Sequence, residues 1–197
     1  MRVGVLAIQG NVREHKRHLA RVGAEPVEVR RPSELSDLDG LILPGGESTT
    51  MSLLMEEYGL LQPLRERAQS RPFPIYGTCA GLILLATEVV GLSPARLGLM
   101  DIVADRNAYG RQVASFEMSL PIPVLGPDPF PAVFIRAPKI ARMGAGVVAL
   151  ATYQGDVVMA EQGQYLVSAF HPEMSPDTRI HAYFVEKVRK ARQAEGS

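Results

Sequence analysis

One cysteine in 197 residues leaves no possibility of a disulfide within the chain. With no secretory pattern at the N-terminus, that usage predicts a reducing, cytoplasmic setting. Neither sign of charge is in excess, since 21 Lys and Arg stand against 21 Asp and Glu. Such a balance predicts no basic groove for nucleic acid and no patch for an anionic membrane surface. No apolar run approaches the roughly 20 residues needed to cross a bilayer. There is no internal repeat, no low-complexity tract and no Cys/His cluster with zinc-ligand spacing, so no metal site is expected. What is present is ordinary for a globular chain: 46% hydrophobic and 21% charged residues, enough to fill a core without staples. No linker divides the sequence, and residues 1–197 read as one domain.

The first half alternates apolar runs with helical spacing. Val3 to Ile8 reads as a strand buried on both faces, and Gly10-Asn11 breaks it. Val12, Leu19 and Val22 then repeat at helical spacing up to Gly23. Further strands are expected at Val27 to Val29, Leu38 to Leu43 and Pro74 to Tyr76, with helices around Met51 to Met55, Pro63 to Gln69 and Leu82 to Val89. This order predicts a parallel sheet with helices on both faces. The second half is strand-rich: Ala114 to Leu120, Val133 to Arg136, Val147 to Tyr153, Val157 to Glu161 and Tyr165 to Phe170. These read as antiparallel strands extending the same sheet. A last helix starts near Asp177 and buries Ile180, Tyr183, Phe184 and Val188.

Cys79 lies in Gly77-Thr78-Cys79-Ala80-Gly81, between an expected strand and an expected helix. A lone cysteine is more often a small inert core residue. Flanking glycines at a strand-to-helix junction instead describe a nucleophile elbow, in which a tight turn projects the side chain from the carboxyl end of the sheet. The helix N-terminus favours a thiolate there, and the Ala80 amide is a candidate oxyanion donor.

A thiol nucleophile needs a base, and the base needs an orienting group. Of four histidines, His15 and His18 fall in the first helix among Arg13, Lys16 and Arg17. A solvated face suits His18, and His15 stays open. His181 falls in the last helix and reads as structural or exposed. His171 differs: it follows a strand directly and precedes Pro172-Glu173. That spacing lets a carboxylate hold one ring nitrogen while the other serves the thiol. Taken alone, a histidine at a strand end is more often structural; beside a cysteine elbow in the same sheet the catalytic reading wins.

Pro44-Gly45-Gly46-Glu47-Ser48-Thr49-Thr50 also follows a strand. It has neither the lysine and spacing of a phosphate loop nor the G-x-G-x-x-G pattern. Its glycines instead let a backbone amide, that of Gly46, serve as a second oxyanion donor. Ser48 or Thr49 is a candidate helix cap.

Together these segments resemble the class I (triad) glutamine amidotransferases over essentially the whole chain. Pro44 to Thr50, Gly10 to His15 and Arg106-Asn107-Ala108-Tyr109-Gly110-Arg111-Gln112 are similar to the subgroup that supplies ammonia for pyridoxal 5′-phosphate synthesis. Many wider relatives carry Gln four residues after the nucleophile; Ile83 stands there, which favours the subgroup. The resemblance implies a flavodoxin-like three-layer α/β fold and hydrolysis of glutamine to glutamate and ammonia. It implies Cys79 as nucleophile, His171 as acid and base, and Glu173 as its orienter. Gly46, Glu47, Ser48, Arg106, Ile135 and Arg136 would bind glutamine, and no cofactor is implied. It also implies a protein partner, the pyridoxal 5′-phosphate synthase subunit in a large ring assembly, with Arg13, His15 and Lys16 as a candidate docking face. Three rivals remain: another class I amidotransferase donating ammonia to a different acceptor, against which Ile83 and the subgroup segments speak; a thiol sensor or chaperone on the same fold, which would not need His171-Pro172-Glu173; and a binding module with a packed Cys79.

Overall fold

The computed structural model describes residues 1–91, 94–106 and 115–196. Its strands are β1 (Arg2–Leu6), β2 (Glu25–Val29), β3 (Gly40–Leu43), β4 (Ile75–Thr78), β5 (Ala86–Val89), β6 (Met100–Asp105), β7 (Ser115–Leu120), β8 (Phe130–Ile135), β9 (Lys139–Met143), β10 (Val148–Tyr153), β11 (Asp156–Gln162) and β12 (Tyr165–Ser168). The helices are α1 (Val12–Arg21), α2 (Ser48–Glu57), α3 (Leu61–Ser70), α4 (Ala80–Leu85) and α5 (Arg179–Glu195).

Ten strands form one sheet, ordered β2-β1-β3-β4-β12-β11-β9-β6-β5, with β10 on β11. The run from β2 to β12 is parallel throughout. Beyond β12 the sheet turns antiparallel through β11 and β9 to β6. The expected α/β architecture, a mostly parallel sheet with an antiparallel extension, is present. The β1, β3, β4 and β12 side chains fill its core: Val3, Val5, Leu41, Ile42, Ile75, Tyr76, Leu166 and Val167 are fully buried. Burying one such aliphatic side chain contributes about 1.5–3 kcal/mol.

Three expectations change. Tyr165 to Phe170 reads as one of the antiparallel strands; β12 is antiparallel to β11 but lies parallel to β4, with Ser168 opposite Thr78. The apolar stretch Leu82 to Val89 reads as one helix, but α4 stops at Leu85 and β5 begins at Ala86. A continuous apolar run has no period, so it cannot mark where helix gives way to strand. The strand at Ala114 to Leu120 starts at Ser115 within the described residues, and among these it pairs with β8 alone, in a separate two-stranded sheet.

The register explains where the site falls. β1, β3, β4 and β12 are neighbours and parallel, so their carboxyl ends emerge along one edge. That edge receives the segments after Leu6, Leu43, Thr78 and Ser168. In open α/β sheets this is where ligands bind.

Candidate active site

Cys79 joins β4 to α4 with φ 50 and ψ −104, a left-handed backbone that costs a non-glycine residue about 1–3 kcal/mol. Neighbours hold it there. Its amide donates to Ser168 O at 2.8 Å, and its carbonyl accepts from Leu82 N at 3.1 Å. A Cβ on Gly77 would stand 2.4 Å from Gly81 O, and one on Gly81 would stand 2.2 Å from Leu43 O. Both elbow glycines are therefore needed for β4, α4 and β3 to approach one another.

His171 follows β12, anchored by its amide donating to Val133 O at 2.8 Å. Its Nδ1 lies 2.7 Å from Glu173 Oε1, and its ring also pairs with the Cys79 thiol. Since Nδ1 is engaged by Glu173, Nε2 is the nitrogen left for sulfur. All three residues are buried. Burial alone would push the His171 pKa down, but Cys79 and Glu173 outweigh it and raise it to about 10. Burial alone would raise Glu173, but the nearby His15 and His171 rings, with the Asn11 amide, hold it at about 2. The pair is a carboxylate holding a ring that favours its charged form.

Beside Cys79 lies a cavity of about 370 Å³. Gly46, Glu47, Ser48, Ala80, Arg106 and Arg136 line it with Cys79, and Ile83 and Pro138 give it an apolar wall. Of the residues that the resemblance implies for glutamine binding, all but Ile135 line this cavity. That residue meets the site through its backbone, its carbonyl accepting from the Cys79 thiol at 3.9 Å. Arg136 has φ 46. Arg106 Nη2 bonds Glu47 Oε1 at 3.0 Å, while Arg106 Nη1 is buried with no partner among the described residues. Asn107 to Gln112 lie outside the described residues. No group of three or more metal-binding side chains is gathered among the described residues.

The structure corrects the reading of the helix cap and of the histidines. Glu47, not Ser48 or Thr49, caps α2: its carboxylate accepts from Thr49 N and Thr50 N. His18 is enclosed with His15, not solvated, and of the two readings of His181 its burial fits the structural one. His15 turns inward to Glu173 and cannot serve as docking surface. Two further residues escaped the sequence reading. Gln9 Oε1 accepts from the Glu47 amide at 2.7 Å, and Asn11 Nδ2 donates to Glu173 Oε1 at 3.1 Å. Asn11 was marked only as part of the segment Gly10 to His15 that carries the resemblance, and Gln9 only by the turn after the first strand.

A model of the SNO glutamine amidotransferase family matches residues 5–190. The chain belongs to that family. A pyridoxal 5′-phosphate synthase subunit PdxT from Pelotomaculum thermopropionicum is 55% identical to it, with 98% of each chain covered. The subunit of the same name from Carboxydothermus hydrogenoformans is 53% identical, covering 96% of this chain and 99% of that one. A solved structure described as a glutamine amidotransferase superposes with a TM-score of 0.89 at 48% identity, over 94% of this chain and 98% of that one. A glutamine amidotransferase structure from Thermotoga maritima, 15% identical, gives a TM-score of 0.61 over 98% of this chain and 85% of its own. At that identity the likeness shows the shared fold alone.

Proposed function

We propose that this amidotransferase hydrolyses glutamine to glutamate and ammonia with Cys79, His171 and Glu173. It passes the ammonia to a pyridoxal 5′-phosphate synthase subunit, as the names of its relatives suggest. The observation that carries the reading is the buried Glu173–His171 pair facing a thiol that lines the same cavity as Glu47, Arg106 and Arg136.

In this scheme the glutamine α-carboxylate meets Arg106 and Arg136, and its ammonium group meets Glu47. The Cys79 thiolate attacks the side-chain carboxamide carbon, and the carbonyl electrons move onto oxygen. Amides of Gly46 and Ala80 receive that oxyanion, each worth about 10²–10³-fold in rate. His171 Nε2 gives its proton to the departing nitrogen, which leaves as ammonia, and a thioester remains. His171 then takes a proton from water, the hydroxide attacks the thioester, and glutamate leaves as the thiolate is restored. Each positioned proton transfer contributes roughly 10²–10⁴-fold. No metal or organic cofactor takes part.

Ammonia released into water at neutral pH is mostly protonated and no longer nucleophilic. A docked synthase that builds pyridoxal 5′-phosphate from a pentose phosphate and a triose phosphate would receive it through a closed path. We place the partner in a large ring assembly in the cytoplasm, with neither nucleic acid nor membrane involved. Among the described residues no helix is long and apolar enough to cross a membrane.

Glutamate release from glutamine, with and without the synthase subunit, tests the reading. Wild type turns over only with the partner, and Cys79→Ala abolishes it. Absence of turnover with a correctly assembled synthase would overturn the choice of acceptor. A thiol sensor would keep its oxidation chemistry in His171→Ala, whereas a glutaminase loses turnover.

A further inference from the structure

Glu173 has two carboxylate oxygens, and the proposed catalytic scheme uses one. Oε1 takes His171 Nδ1 at 2.7 Å and Asn11 Nδ2 at 3.1 Å. Oε2 is buried without a hydrogen bond among the described residues, and His15 Nε2 on α1 faces it at 3.5 Å. His15 Nδ1 lies 2.9 Å from Nε2 of His181 on α5. His181 Nδ1 has no partner among the described residues.

This chain of contacts has a direction. A carboxylate only accepts, so the ring nitrogen facing it must carry a proton. A neutral His15 protonated at Nε2 has a bare Nδ1, which accepts from His181 Nε2–H. The bare nitrogen of His181 is then its orphan Nδ1, and an unpaired buried acceptor is more readily tolerated than an unpaired donor. Burial, outweighing the pull of Glu173, holds the His15 pKa below its usual 6.5. Burial and the neighbouring His15 and His18 hold His181 well below it. Both rings are thus neutral at pH 7. The other titratable groups facing them are His171, Glu14, His18 and Tyr76. His18 lies 4.5 Å from His181 between ring centroids, its nitrogens against the carbonyls of Glu14 and Ser175. The Tyr76 ring lies 6.3 Å from His181, and its hydroxyl pairs with Ser168.

We propose that His15 is a positioning residue for the triad: its Nε2–H holds Oε2 of Glu173, and His181 fixes the tautomer in which it can do so. The proposal rests on the glutaminase reading and adds a device to it. Without that donor the carboxylate is held through Oε1 alone and can turn about it, so the imidazole loses its alignment and its charged form a well-placed counter-ion. Cys79 then reacts more slowly at the acid end of its pH profile.

The test compares His15→Leu and His15→Gln in the complex with the synthase subunit, because the Gln side-chain amide can stand where His Nε2 stands. In His15→Leu, kcat falls roughly tenfold to a hundredfold, while KM stays within about twofold. The acid limb of Cys79 alkylation by iodoacetamide moves to higher pH, and His15→Gln recovers most of both effects. A His15→Leu variant with wild-type kcat and alkylation profile overturns the proposal. So does equal loss in both variants, which would make His15 a packing residue. Wild type that releases no glutamate with the assembled synthase sinks the glutaminase reading instead, and the alkylation limb then decides about His15 alone. Should His15→Leu not fold, ¹⁵N imidazole signals of the wild type decide. At pH 7 both His15 and His181 carry their proton on Nε2; a proton on Nδ1 of His15 overturns the proposal.

Discussion

A Cβ built on Gly45 would stand 2.4 Å from His171 Cε1 and 3.3 Å from Cys79 Cβ. The ring cannot yield without losing its 2.7 Å bond to Glu173. Gly45→Ala therefore displaces the imidazole while leaving the sheet intact. We expect kcat to fall about 10²-fold with the far-ultraviolet circular dichroism unchanged; wild-type turnover would show that the ring has room to move. Arg106 makes a different prediction. Arg106 lines the cavity, with one guanidinium nitrogen unpaired among the described residues. Losing a charged hydrogen bond to substrate costs about 1.5–3 kcal/mol. Arg106→Ala should thus raise KM about tenfold or more and leave kcat nearly unchanged; a fall in kcat at constant KM would contradict a binding role. Cys79, His171 and Glu173 were legible because each stands in a short motif whose spacing carries its chemistry. Gln9, Asn11 and His15 were not, because each gains its contact only across the fold: Asn11 and Glu173 are 162 positions apart.

The elbow depends on three elements meeting at two glycines. Gly77 lies within β4 and Gly81 within α4, and each faces backbone that cannot step aside: Gly81 O at 2.4 Å and Leu43 O at 2.2 Å from an added Cβ. Gly77→Ala and Gly81→Ala should each destabilise the fold by about 1–3 kcal/mol, as overpacking does. Urea unfolding at neutral pH measures it, and unchanged midpoints would mean that β3, β4 and α4 can separate at little cost. The helices α1, α2 and α5 were readable to within a few residues, because their apolar positions recur at helical spacing. The α4 to β5 junction was not, because Leu82 to Leu85 are buried on every side and such a run carries no period. On α1, His18 and the docking role given to His15 misled for the opposite reason. A polar face on a helix looks solvated until the partner helix that covers it is known.

Over the whole molecule, buried titrating groups set the pH range of stability. Glu173, held near 2 against its ordinary 4.5, contributes stability that is complete above pH 4.5 and lost as pH falls toward 2. His15 and His181, held below 6.5 by burial, leave the unfolded chain binding the extra protons, so stability also declines as pH drops below 6.5. His171 works the other way. With its pKa raised from 6.5 to about 10, its contribution is complete below pH 6.5 and fades as pH rises toward 10. Stability should therefore peak near neutrality and fall on both sides, as urea midpoints between about pH 5 and pH 10 would show. A midpoint that only rises across that range would mean that His171 is not held in its charged form.

The sequence by itself determined the α/β class, the order of most elements and the residues able to do thiol chemistry. Those properties reside in local period, turn residues and short spacings, which need no partner. The tertiary structure decided the rest. It laid β12 parallel beside β4, which brings His171 to Cys79 across 92 positions of chain. It also folded α1 and α5 over one another's histidines and closed Glu47, Arg106 and Arg136 around one cavity. The physical reason is that register between distant strands, and burial of a polar face, are settled by pairing and packing. Neither leaves a mark in the local run of residues.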